Sequence, residues 1–139
     1  MSAYKIIQCD LKIKEFLLTG LEELGFKPTV TDTKVKLKGF MGDERPEAAS
    51  IIIPRQQLNA IFTGASNDLG FEWDDKTQSY LMKISDYDKN LEIDKRVIQA
   101  YAKAGIEKAL SMNRFKNTRT TNLKQKARVN VSIISSKVI

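Results

Sequence analysis

The stretch Asn67–Ser85, NDLGFEWDDKTQSYLMKIS, decides the fold. Leu69, Phe71 and Trp73 alternate with Asp68, Gly70 and Glu72, and beyond DDKTQ the residues Tyr80, Met82 and Ile84 alternate with Leu81, Lys83 and Ser85. Period-two alternation on both sides of a turn-rich segment predicts a β-hairpin with one buried face. Trp73 is the sole tryptophan, and large aromatic rings bring the most apolar area to a core. Leu69, Phe71, Trp73, Met82 and Ile84 are therefore read as the floor of the core, with Glu72, Asp74 and Asp75 as its solvated side.

Working outward from the hairpin, two helices offer stripes that need such a floor. Ile13, Phe16, Leu17, Gly20, Leu21 and Leu24 recur at helical spacing, with Lys12, Lys14, Glu15, Glu22 and Glu23 on the other side. Asp10 is read as the N-cap of this helix, Gly25 as its left-handed stop, and Pro28 as a bar to its return. A second helix is expected from a cap at Asn90 to about Met112, with Ile93, Val97, Ile98, Tyr101, Ala102, Ile106, Ala109 and Leu110 as its stripe. Gly105 costs roughly 1 kcal/mol there relative to Ala, which close packing against the sheet would explain. Tyr101 reads as a core residue with its hydroxyl at the rim.

The remaining strands are shorter. Tyr4–Cys9 is one, Phe26–Val30 and Lys34–Phe40 form a pair around Thr31-Asp32-Thr33, and Ala49–Ile53 is a buried strand ended by Pro54. GFMGDERPEA reads as a loop, Arg55–Ser66 as a helical turn or a short strand, and Asp86–Lys89 as a polar link. Val129, Val131 and Ile133 alternate with polar residues and predict a terminal strand, with Arg119–Lys126 as a loop or hairpin tip. The fold class is α+β: a mainly antiparallel β-sheet with two amphipathic helices packed on one face. Residues 1–112 form the core domain, and 113–139 a basic strand or hairpin completing it.

Composition narrows the chemistry. At 139 residues the chain can bury a core without disulfides or metals. The chain contains no histidine, so the commonest zinc ligand and general base are missing. Cys9 is the only cysteine, which rules out an intrachain disulfide; it reads as a structural residue in an apolar segment. No apolar run approaches a membrane span, and lysines interrupt the N-terminal segment, so a cytoplasmic protein is expected. Glu72, Asp74, Asp75, Asp43 and Glu44 are the best-placed carboxylates, but turns favour aspartate for geometry alone and the spacing fits no metal loop. GFMGDERP lacks the Lys-Ser/Thr of a phosphate loop. No catalytic residue, metal ligand or cofactor site is assigned.

Charge is the remaining signal. Residues 1–107 carry fifteen Lys/Arg and seventeen Asp/Glu, a balance of −2, whereas residues 108–139 carry eight cations and no acid. Lys108, Arg114, Lys116, Arg119, Lys124, Lys126 and Arg128 are the candidate contacts to an acidic protein surface or to phosphates. Phe115 is the one aromatic in that stretch, so any nucleic-acid binding is expected to be electrostatic and largely non-sequence-specific. Lys34, Lys36 and Lys38 form a second basic row. Such a row guards a strand edge against aggregation, and it also suits pairing with an acidic partner or, in a homo-oligomer, a second copy. The chain is read as a non-enzymatic binding or adaptor protein engaging an acidic protein partner, the alternative being RNA or DNA held by the basic C-terminal segment.

Four segments carry a resemblance: LEELGF (21–26), KLKGFMG (36–42), NDLGFEWDDKTQSYLMK (67–83) and VIQAYAKAGIEKAL (97–110). In order and spacing they resemble the hypothetical chloroplast reading frame thirty-five family, small uncharacterised proteins of cyanobacteria, plastid genomes and phages. The family's hallmark hairpin is similar to 67–83, although Ser85-Asp86-Tyr87-Asp88 stands where the family commonly has a tryptophan-rich segment. The resemblance implies an α+β fold over roughly residues 4–112 and brings no catalytic residues with it.

Overall fold

The computed structural model describes the backbone of residues 3–121 and the side chains of residues 3–113. A five-stranded antiparallel sheet is built from β1 (Tyr4–Leu11), β2 (Thr29–Lys38), β3 (Glu44–Ile53), β4 (Leu69–Asp74) and β5 (Ser79–Ser85), in the spatial order β1-β5-β4-β3-β2. The expected hairpin is β4–β5, paired from Gly70↔Lys83 to Asp74↔Ser79. Both its strands are interior to the sheet. Its turn is closed by Asp74, whose Oδ2 accepts from the Thr77 N–H at 3.1 Å and the Thr77 hydroxyl at 2.9 Å. The α+β reading holds, but the described residues form four helices, not two: α1 (Lys14–Glu23), α2 (Arg55–Ile61), α3 (Asp86–Asn90) and α4 (Ile93–Thr121).

Helices α1 and α4 cover one face. Leu17 and Leu21 from α1 and Ile93 and Val97 from α4 join Leu11, Ile51, Leu69, Phe71, Met82 and Ile84 in one buried cluster. Where the two helices cross, a Cβ on Gly20 would lie 2.9 Å from the backbone of Ala100 and Tyr101, so only glycine permits this approach. At the end of α1, Gly25 adopts φ +99°, its N–H donating to Glu22 O and that of Phe26 to Leu21 O. This paired arrangement satisfies two carbonyls the helix would otherwise leave open.

Several boundaries differ from the sequence reading. Asp10 does not cap α1; it sits inside β1 with φ +56°, where the pairing to β5 shifts register between Gln8 and Leu11. The cap position belongs to Ile13, which has no side-chain cap bond, and the Tyr101 hydroxyl fixes the entry to the helix by accepting from the N–H groups of Lys12 and Ile13 at 3.0 and 2.9 Å. Residues 26–40 do not make a strand pair. They contain a single strand, β2, whose partner is β3 and whose register slips between Val30 and Val35. Thr31 Oγ1 serves this bulge by donating to Thr33 O at 2.7 Å, so the extra residues need no turn of their own.

The loop at 39–48 is shorter than expected, since β3 begins at Glu44; Pro46 is tolerated where the β2–β3 pairing is irregular. Arg55–Ile61 is helical, and Asp86–Asn90 is a short helix capped by the Ser85 hydroxyl, not a link. Asn90 ends α3, and α4 starts at Ile93. Helix α4 also runs on through residues 114–121, where no helical periodicity was read. The first part of the basic segment, residues 114–121, is therefore helical and not strand. The expected strand at 128–134 lies outside the described residues.

Two hairpin assignments also change. Trp73 is 37% exposed, packed edge-on against Tyr80 with its indole N–H donating to Asp75 at 3.0 Å, so it borders the core instead of flooring it. Glu72 is only 9% exposed and is not on the solvated side. It shares with Gly70 the sheet face away from α1 and α4, a face that the small cluster of Leu37, Ala49 and Ile52 partly covers.

Candidate functional site

The residues between α2 and β4 form the polar pivot of the molecule. Ser66, Asn67 and Asp68 are all buried, and each is tied to another element. Asp88 on α3 accepts from the Ser66 N–H at 2.7 Å, the Ser66 hydroxyl at 3.1 Å and the Asn67 N–H at 3.1 Å. Asp68 accepts from the backbone N–H groups of Lys38 (2.9 Å) and Arg55 (2.8 Å), so β2 and α2 are fastened to the same loop. The Tyr4 hydroxyl closes the knot from β1, donating to Asp68 O at 2.7 Å. Burial and the Asp68 carboxylate push the Tyr4 phenol well above its ordinary pKa, so it remains a donor at any physiological pH. A buried carboxylate is tolerable when its oxygens accept several such bonds.

Above this knot opens a cleft of about 660 Å³. The turn between β2 and β3 supplies one wall through Phe40, Met41 and Asp43, with Arg45 from the start of β3, and Gly64, Ser66, Asn67 and Tyr87 supply the rest. Phe40 and Met41 are 59% and 79% exposed, unusual for large apolar side chains on a turn. The Arg55 guanidinium lies over the Phe40 ring, 5.0 Å from its centroid. Arg45 stands 5.6 Å from the Tyr4 ring centroid and 3.8 Å from the Asp43 carboxylate. Asn67 is 1% exposed, and its side-chain N and O have no hydrogen-bond partner among the described residues. The amide leans toward the Tyr4 hydroxyl, which works against the rise of that phenol's pKa, without closing a well-formed hydrogen bond.

The outer edge of the sheet is a separate feature. β2 has a neighbour on one side only, and Lys34, Lys36 and Lys38 are exposed along it. None of the three makes an ion pair among the described residues; Glu44 stands opposite Lys38 in the register without closing one. Of the basic candidates nearer the C-terminus, Lys108 pairs with Glu15 on α1 at 3.2 Å, an exposed contact. Arg114, Lys116 and Arg119 follow on the α4 backbone, and Lys124, Lys126 and Arg128 lie outside the described residues. The structure does not bring Lys108 to the lysine row: one is on the helix that packs with α1, the other on the far sheet edge.

Other chemistries find little footing. Among the described residues no group of three or more Cys, Asp or Glu could hold a metal ion. Burial raises the Cys9 thiol from its ordinary 9.0 to about 11, which leaves it protonated and poorly nucleophilic near neutrality. No helix among the described residues is long and apolar enough to cross a membrane. The Ser66–Asp68 knot and Asp88 are not legible in the sequence because their partners are up to 64 residues away. The one local signal was three consecutive polar residues placed directly before an apolar strand. No family model, no curated protein and no solved structure matches this chain.

Proposed function

We propose that this chain is a non-enzymatic binding protein that docks an acidic segment of a protein partner along the open edge of β2. The observation that carries this reading is the row of Lys34, Lys36 and Lys38, exposed and without an ion pair among the described residues on a strand with one free side. An extended peptide added to such an edge gains main-chain hydrogen bonds, while alternate side chains give specificity. Acidic residues on the incoming strand answer the lysines, whereas a second copy of β2 would oppose lysine to lysine. Lysines and the bulge at 31–34 also discourage indiscriminate edge pairing, so a partner must bring compensating charge. The likeness to the chloroplast reading frame thirty-five family supports a fold and leaves the partner open.

The test is capture from the source cell, with and without nuclease, by the wild type and by a Lys34→Glu/Lys36→Glu/Lys38→Glu variant. A partner that survives nuclease, is lost with the variant and contains an acidic segment supports the edge. A partner retained by the variant refutes it.

The second reading, nucleic acid bound by the basic C-terminal segment, draws on the continuation of α4 through Arg114, Lys116 and Arg119 with no acid between Lys108 and Thr121. Such binding is electrostatic and falls steeply with salt. Retention of RNA or DNA at low salt, abolished by deleting residues 114–139, supports it; no retention at low salt removes it.

A further inference from the structure

We propose that the segment docked on β2 must carry two kinds of side chain on one face: acids opposite Lys36 and Lys38, and a branched aliphatic residue that fills a groove beside Val30. The proposal rests on docking at the β2 edge and states what the docked strand brings to it. The groove, about 280 Å³, is lined by Leu18 and Glu22 of α1, Lys27 and Pro28 of the connection, and Val30 of β2. Small-molecule sites are larger, about 300–1,000 Å³, so its size suits a single side chain. Leu18 and Glu22 stand four residues apart, on one side of α1. Val30 opposes Ile51 of the main core, so it lies on the sheet face that α1 covers, yet it is 45% exposed.

The lysines share that face. Leu37 belongs to the small cluster on the opposite face, so its neighbours Lys36 and Lys38 turn to the α1 side. One row of alternate side chains on an added strand therefore meets the lysines at one end and the groove at the other. The two ends ask for different chemistry. Lys36 and Lys38 make no ion pair among the described residues, whereas Glu22, exposed at the groove, repels a carboxylate placed there. Main-chain pairing stops at the groove end, since Pro28, just before β2, has no N–H to offer. Every pairing in the sheet is antiparallel. The same geometry on the open edge puts the acids toward the N-terminus of the docked segment and the aliphatic residue toward its C-terminus.

The test is an NMR titration of the full chain with three amidated peptides that alternate Glu and Thr and differ at one Glu. The last Glu is replaced by Leu, the last Glu by Ala, or the first Glu by Leu, so all three carry the same charge. The peptide with Leu last should bind about tenfold tighter than the one with Ala last, and it alone should shift the methyl groups of Leu18 and Val30. Leu in the first position should give no gain over Ala last. Val30→Ser, a change at a half-exposed site, should remove the difference between Leu last and Ala last. Equal affinity of those two peptides for the wild type, with shifts on β2, overturns the groove and leaves the edge standing. A gain from Leu in the first position instead, or a gain that survives Val30→Ser, also overturns it. Absence of shifts on β2 with all three peptides overturns the groove and the edge together.

Discussion

The two hairpins of this sheet sit in opposite surroundings. β4–β5 carries Phe71, Met82 and Ile84 beneath α1 and α4, has a strand on either side, and closes its turn with Asp74. β2–β3 lies at the margin, keeps one side of β2 open, and holds Phe40 and Met41 out on its turn. The first hairpin spends its aromatic and acidic residues on folding. The second leaves two large apolar side chains, three lysines and a cleft open to solvent. Binding chemistry belongs where side chains exceed what folding requires.

The sharpest way to break the comparison is to exchange like for like. Phe71→Ala, at a site closed to solvent, should lower stability by about 3–5 kcal/mol in urea unfolding, whereas Phe40→Ala should stay within about 0.5 kcal/mol. Equal losses would show that the β2–β3 turn is part of the core. Next in size, Asp88→Ala strips the acceptor from three donors in the knot and should cost roughly 3 kcal/mol. Gly20→Ala forces a Cβ into the backbone of α4 and should cost about 1–3 kcal/mol, read as a fall in Tm. Tyr101→Phe removes the oxygen that accepts from Lys12 and Ile13 and should cost about 1 kcal/mol.

The smallest effect is a pH dependence. Because the Cys9 thiol titrates near 11 in the fold, above its ordinary 9.0, the native state holds that proton more tightly than the unfolded chain. The contribution is fully present at neutral pH and fades as pH rises from about 9 through 11. Cys9→Ser should flatten that alkaline slope in unfolding titrations.

How far the sequence could be read follows from the range of each interaction. Leu69–Ile84 and the two helical stripes declared themselves because alternation and 3.6-residue spacing are local and repeat several times. Gly25 declared itself because a left-handed stop needs only its own residue and the next. Asp10 and Asn90 misled as caps, since an acceptor before an apolar run is a local rule that a bulge and a distant tyrosine hydroxyl overrode. Glu72 and Trp73 misled in the opposite way. Alternation gives the face of a strand but not how deeply its end is covered, and at this end of β4 the cover gives out at Trp73. The cleft was invisible because Phe40, Asn67 and Tyr87 come together only through the Asp68 and Asp88 bonds across the fold.

Recognition at the β2 edge, as proposed, is open to a hydrogen-exchange footprint of the full chain with an extended peptide alternating Glu and Thr, measured at low and high salt. New protection is expected only at residues 34–38 of β2, fading as salt is raised. Protection on β1 or along α4 instead, or none on β2 at low salt, would contradict it.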